Sequence, residues 1–378
     1  DKYGTPRRSA IEGEAEELSD LELTRREPCA IVQSARGYVK RLSLSDFDAQ
    51  GRGTRGKAGM ANMADGDAVT RILSCSTHDT ILAISEQGIA YALHAYQVPA
   101  ASRTARGVLL QQLLPIAEDD VIAELLPVSD FCDELYLVLL TRHGWIKRTP
   151  LSAFAKITAR GLIAASLGEG DSLTHAGICR NTDSVVLASR LGQALRFQTD
   201  NKQLRASGRA SRGVKSLALR EGDEIADMAI VRGGPGAASA AAADGQSDDD
   251  NMLLAVTRGG YGKRVRVDAF PPKGRGGKGM IALKFKNEKD RLLQLSLAKS
   301  TDEVLLITQK GTTVRQAVDA ISEQGRAATG VALQKLDADD FVASVACVRE
   351  LEALGRPDDA PLKQDGADVG AEVTSDFA

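Results

Sequence analysis

Long apolar runs are missing from this chain. No segment approaches the about 18 consecutive apolar residues that a membrane-spanning helix needs. Cysteine is scarce: Cys29, Cys75, Cys132, Cys179 and Cys347 stand alone and never as C-x-x-C. That speaks against a zinc site and against a disulfide framework. Four of them fall near repeat ends in apolar company, as reduced packing residues of a cytoplasmic protein do. The four histidines (His78, His94, His143, His175) form no H-x-x-x-H pair. No nucleophile elbow or P-loop is present. The G-R-G-G-K-G of residues 274–279 lacks the G-K-[ST] ending and the strand-then-helix context. No residue is therefore assigned to catalysis, to a metal or to a cofactor of this segment. Aromatics make up only 4%, with Trp145 the sole tryptophan, too few for a base-stacking platform. Trp145 opens a strand and is read as packing or a single edge contact. Helical periodicity is weak, with one short hint at 350–355. The chain starts at Asp1 without a signal-peptide pattern, which is expected of a piece of a longer protein.

What is present is apolar residues in short runs, 43% of a 378-residue chain, enough for more than one ordinary core. The net charge of −3 hides an uneven distribution. Residues 351–378 carry seven acids and two bases, and residues 235–250 carry four acids and no base. The remainder holds 46 basic against 40 acidic residues, so the body is mildly basic between acidic ends and one acidic insert.

The body is a repeat. Six openings recur: S-A-R-G-Y-V-K-R (Gly37), S-E-Q-G-I-A-Y-A (Gly88), T-R-H-G-W-I-K-R (Gly144), S-R-L-G-Q-A-L-R (Gly192), T-R-G-G-Y-G-K-R (Gly260) and T-Q-K-G-T-T-V-R (Gly311). An apolar run, a polar pair, glycine and renewed alternation predict a β-hairpin. A second glycine follows each first one by 17 to 21 residues, at Gly56, Gly107, Gly161, Gly213, Gly279 and Gly330. An apolar strand, an acid-marked turn (Asp67, Asp120, Asp171, Asp223, Asp290, Asp340) and a last strand complete each unit. The first glycines lie 51, 56, 48, 68 and 51 residues apart; the long interval holds the low-complexity stretch 233–250, expected to be a flexible insert. A period near 50 with four strands per unit predicts an all-β, six-bladed propeller-like ring or shallow spiral over residues 21–349. Residues 1–20 read as an entry linker, with 21–23 a short strand, and 351–378 as an acidic disordered tail.

Basic residues hold fixed places on this repeat. Arg55, Arg106, Arg160, Arg212 and Lys278 precede the second glycine; the sixth unit has Thr329 there, with Arg326 three residues earlier. A further set follows the first glycine: Lys40 and Arg41, Lys147 and Arg148, Arg196, Lys263 and Arg264, and Arg315. One arginine–glycine pair is unremarkable in an exposed turn. Five in register predict a belt of positive charge on a rim, suited to the phosphates of double-stranded DNA. Nothing looks like a base reader, so contacts that position and bend DNA are expected. A propeller that binds only proteins is the alternative from another class, and would show an exposed apolar patch.

One stretch carries a resemblance. Residues 50–56, Q-G-R-G-T-R-G, are similar to the Q-R-R-G-G-K-G box in the C-terminal domain of the A subunit of DNA gyrase, a bacterial type IIA topoisomerase. Gln50, Arg52, Gly53 and Gly56 match, Arg55 keeps the charge, and Gly51 and Thr54 depart. The flanking G-Y-V-K-R-L-S-L-S-D-F-D-A-Q, T-H-D-T-I-L, Y-Q-V-P, S-R-T-A-R-G (with Arg103), L-L-P and G-G-Y-G-K-R look like the family too. A second box-like stretch, with Arg275 and Lys278, sits in the fifth unit. The resemblance implies a β-pinwheel with strands exchanged between blades. It implies chiral wrapping of duplex DNA around the rim, presenting a segment for strand passage. It implies an ATP- and Mg2+-dependent parent enzyme in the bacterial cytoplasm, at the nucleoid. The partners would be the N-terminal cleavage part of the same polypeptide and a gyrase B subunit, in an A2B2 complex. The related domain of the topoisomerase IV A subunit, which lacks a proper box, is the nearest rival.

Overall fold

The computed structural model describes residues 20–34, 36–43, 69–102, 105–117, 119–233, 252–310, 312–337 and 339–348. The box residues Gln50, Arg52, Gly53, Arg55 and Gly56, together with Arg103, lie outside them. So do the linker 1–19, residues 234–250 of the insert and the tail.

The six openings fold as six hairpins: Pro28–Ser34 with Tyr38–Ser43, Thr80–Ser85 with Ile89–His94, Tyr136–Thr141 with Trp145–Pro150, Ser184–Ser189 with Gln193–Gln198, Met252–Thr257 with Tyr261–Arg266, and Glu303–Thr308 with Thr313–Ala317. Local chemistry fixes each turn. The Ser or Thr that opens it accepts, on its hydroxyl, the N–H of the residue after the glycine, as Ser85 does from Ile89 (3.1 Å) and Thr141 from Trp145 (3.1 Å). The acid of the later turn reaches back. Asp171 Oδ1 accepts the N–H of His143 at 3.1 Å and Asp290 Oδ1 that of Gly259 at 2.7 Å. The S/T-x-x-G pattern and the distant aspartate are thus two halves of one device.

The last long strand of each unit pairs with the first hairpin strand, on the side away from the second. These strands are Val69–Ser76, Ile122–Val128, Leu173–Cys179, Ile225–Val231, Leu292–Leu297 and Val342–Val348. A β-bulge recurs at the same place in all six pairings. The fourth strand is borrowed. Val108–Leu109, Leu162–Ile163, Val214–Lys215, Met280–Ile281 and Val331–Ala332 each follow a second glycine and pair with the hairpin of the preceding unit. The sixth sheet shows three strands among the described residues. The last long strands pack on one another round the whole circle, with Val342–Val348 against Val69–Ser76. The arrangement is therefore a closed ring, and the sheet order places the two-residue strands on its outer edge. Segment 20–23 is one turn of helix, not the expected strand. Blade 1 already has its four strands without it.

Apolar cores lie between successive blades. Ile31, Ile81, Leu93 and Leu125 join blades 1 and 2, and Leu82, Leu137, Leu151 and Phe154 join blades 2 and 3. The middle strands are buried on both faces, which is why T-I-L-A-I-S and Y-L-V-L-L-T are apolar throughout rather than alternating. All five cysteines are free thiols; Cys29 and Cys75 face each other with sulfurs 3.6 Å apart.

Along the innermost strands, one register position carries Arg71, Glu124, His175, Asp227, Gln294 and Ser344. These polar residues face the axis. Arg71 Nε lies 2.9 Å from Glu124 Oε1, and His175 Nδ1 lies 3.7 Å from Asp227 Oδ1. Burial pushes Glu124 up to about 7 despite Arg71, and Asp227 up to about 7 despite backbone N–H donors from Leu295 and Met228. Burial pushes His175 down to about 4. An acid with a raised folded pKa holds its proton in the fold but not in the unfolded chain. The stability it lends at low pH is therefore lost as pH rises through 7. His175 acts in the opposite sense between about 4 and about 6.5. Glu124→Gln removes one such acid, so the variant should gain stability on the parent chain as pH goes from 5 to 8. Thermal denaturation at the two pH values checks this, and a constant difference would refute it.

Candidate nucleic-acid interface

The second glycine of each unit builds the outer edge. Gly213 has φ +94°, and a Cβ there would stand 2.4 Å from the Ile146 carbonyl oxygen. The chain can cross the neighbouring hairpin only without a side chain at that point. The basic residue before this glycine is thereby carried to the surface. Arg106, Arg160, Arg212 and Lys278 are all exposed. The Arg106 guanidinium lies 4.0 Å from the centre of the Tyr38 ring, and that of Arg212 lies 4.1 Å from Trp145, with Lys215 Nζ at 5.3 Å from the same ring. Lys286 sits 5.2 Å over Tyr261. Each aromatic is the first residue after a hairpin glycine of blades 1, 3 or 5. Such stacking is worth about 0.5–1 kcal/mol at an exposed site and holds the cation at the edge.

Successive loops join into a belt. Ser166 N–H donates to Ser211 O at 3.3 Å, Gly276 N–H to Ser216 O at 2.7 Å, and Lys284 N–H to Ala328 O at 3.4 Å. The box-like loop 273–279 lies over the strand Val214–Lys215. Arg275 Nε donates to Gln203 O at 2.6 Å, and its Nη1 lies 3.4 Å from Lys215 O. Arg212, Lys215, Lys273, Arg275 and Lys278, all exposed, therefore gather on the edge of blades 3 and 4.

The other predicted cations sit differently. Lys40, Lys147, Arg148 and Lys263 are buried, at 2% exposure or less, where the repeat pattern led one to expect a rim. Their side chains point under the loop that the next unit lays across the hairpin; backbone carbonyls take the lysine donors, and backbone and side-chain carbonyls those of Arg148. Lys147 Nζ donates to Ala164 O and Gly208 O, both at 2.8 Å, and to Arg209 O. Lys263 Nζ donates to Gly325 O, Arg326 O and Ala328 O at 3.0, 2.6 and 2.8 Å. Lys40 Nζ donates to Ala105 O at 2.9 Å and Ser102 O at 3.4 Å. Burial lowers all three, Lys147 and Lys263 to about 8. Arg148 donates to Leu204 O, Asn181 Oδ1 and Asn201 Oδ1. Arg41, Arg196 and Arg264 are half-buried and bonded to Val98 O, Ser184 Oγ and Ile321 O. Arg315 is exposed but ion-paired with Glu303, at 2.6 Å from Nε. Lys215, Lys273 and Lys286 were missed, for they fall outside the two repeat positions rich in basic residues. Among the described residues no group of three or more His, Cys, Asp or Glu could hold a metal ion, and no helix is long and apolar enough to cross a membrane.

A closed six-bladed β-propeller with exchanged outer strands and a basic edge defines a narrow class of ring proteins. The model of the DNA gyrase C-terminal domain, beta-propeller, matches residues 31–76, 79–129, 135–180, 183–232, 251–299 and 302–349. The chain belongs to that family, as the resemblance of its box and flanking motifs implied. It is 43% identical over 362 residues to the DNA gyrase A subunit of Synechocystis sp., and 37% identical over 357 residues to that of Deinococcus deserti. Those matches cover 92% and 94% of this chain and 42% of each relative, so the chain spans about two fifths of their length. Among solved structures, a DNA gyrase A C-terminal domain superposes with TM-score 0.65 at 26% identity, covering 85% of this chain and all (100%) of that one. The C-terminal domain of a DNA topoisomerase IV gives TM-score 0.67 at 22% identity over 86% and 94%, a likeness of fold.

Proposed function

We propose that this domain wraps duplex DNA in one hand around its outer edge and presents a segment of it for strand passage, as part of a gyrase A-type polypeptide. The observation that carries the reading is the belt of joined loops whose exposed cations concentrate on blades 3 and 4. The contacts are made to phosphate: the cations stand on short, glycine-bounded loops, and no helix or ribbon among the described residues projects to enter a groove. The box residues Gln50, Arg52, Gly53, Arg55 and Gly56, with Arg103, join this reading as further DNA contacts that the family resemblance implies. The cleavage part of the same polypeptide, a gyrase B subunit with its ATP and Mg2+, and a cytoplasmic, nucleoid-associated setting complete the reading, as the family resemblance implies.

The test is topological. The domain is bound to nicked circular DNA, the nick is sealed, the protein is stripped and the linking number is read on a gel. A shift of one sign that grows with protein concentration is expected. Tight binding without a shift would overturn chiral wrapping and favour a domain that only bends DNA, as the topoisomerase IV rival would. Affinity should also fall steeply with salt, at a slope of about 0.9 per phosphate contacted, and a flat salt response would sink the DNA reading itself.

A further inference from the structure

The buried lysines occur at one register on blades 1, 3 and 5. Blades 2, 4 and 6 carry Tyr91, Leu195 and Val314 there. An ammonium has three donors and no acceptor, and each of these finds two or three carbonyls of one edge segment: Ser102 and Ala105 for Lys40, Gly208 and Arg209 for Lys147, and Gly325, Arg326 and Ala328 for Lys263. The same loops are tied a second time by the following arginine, which pairs with Ala100, Ala206 or Glu323 in an isolated parallel bridge. All peptide bonds here are trans, so a carbonyl drawn towards the lysine sends the next N–H the opposite way. In the three loops those are the amides of Arg106, of Arg209 and Ala210, and of Arg326, Ala327 and Thr329. Outward amides beside an arginine and a glycine make a concavity that receives a phosphate oxygen.

We propose that Lys40, Lys147 and Lys263 are positioning residues for DNA: each fixes one edge loop from beneath, so that every second blade offers a preformed phosphate clamp. The proposal rests on the DNA reading above. The loops on the alternate blades have no such lysine. The box-like loop 273–279 leans on Gln203 and Lys215 instead. The edge thus alternates between loops that a buried lysine holds from below and loops that none holds.

Lys147→Met and Lys263→Met keep the apolar stem and remove the ammonium; Leu195→Met changes the same register on blade 4. The two lysine variants should each lose about 5- to 10-fold in duplex affinity and flatten the salt slope by about one to two phosphate contacts. Leu195→Met should change neither. Folded lysine variants with parental affinity and slope overturn the proposal. A second measurement needs no variant. Phosphate above a clamp favours the charged lysine, and Lys147 and Lys263 sit at about 8. Calorimetry of the unaltered domain with duplex DNA, in two buffers of different ionisation enthalpy, should therefore show proton uptake at pH 8 and far less at pH 6. The charged neighbours are Arg148, Arg209 and Arg212 for the first lysine and Arg264 and Arg326 for the second; arginines do not titrate there. Equal uptake at both values, or none, overturns the proposal. Absence of any salt-dependent binding would refute the DNA reading instead.

Discussion

Reversing Arg212, Lys215 and Arg275 together to glutamate should abolish most duplex binding. The three side chains share one stretch of the outer edge, with two stacked on Trp145 and the third bonded to the backbone beneath them. Removing three phosphate contacts flattens the plot of log K against log salt by about 2.7, and the three reversed charges add repulsion. A loss of about 100-fold or more at about 0.1 M salt is expected. All three residues are exposed, so the thermal transition should move little. Reversing Lys2, Arg7 and Arg8 of the N-terminal segment is the matched control and should cost little affinity. Salt-series anisotropy with labelled duplex reads both. Equal losses in the two triple variants would mean that net charge, and not this patch, binds DNA.

Gly213→Ala should be the most damaging small substitution. Its φ of +94° is strained for any side chain, and the new Cβ would meet Ile146 O at 2.4 Å, Ile146 C at 2.8 Å and Lys147 Cβ at 3.0 Å. Backbone cannot swing aside as the end of a side chain can, so the loop must lift from the hairpin. The strand Val214–Lys215, which pairs with Trp145 and Ile146, goes with it. A loss of about 3 kcal/mol is expected from strain and broken pairing. Gly208→Ala, five residues earlier in the same loop, meets nothing within 4 Å and should be close to neutral. Denaturant unfolding of the pair decides: equal stabilities would show that the second glycine is not there for fit.

The hairpins were legible because their determinants are local. A hydroxyl, a polar pair and a glycine within four residues specify the turn, and the repeat of about 50 residues shows six of them. Strand exchange was legible only through family resemblance. A two-residue strand such as Val108–Leu109 is too short to show a period, and its partner lies about 70 residues back. The lysines misled for a physical reason. Charged side chains are rarely buried unless paired, and their partners are carbonyls, which no sequence pattern displays. The axial ring stayed hidden because its six positions hold six different residue types. Lys215 and Lys273 went unmarked because their importance comes from two loops, about 60 residues apart, meeting at one edge.

The borrowed outer strands also set how this ring tolerates loss. A propeller of self-contained blades could be shortened by one whole unit and leave the others intact. Here, deleting the last unit would strip Val331–Ala332 from the fifth blade and take the Arg326 loop away from Lys263. Damage at a unit boundary spreads one step backwards along the chain, and always through the perimeter. Gain or loss of a single repeat therefore rewrites the edge of its predecessor, so the number of units and the course of the edge can change only together.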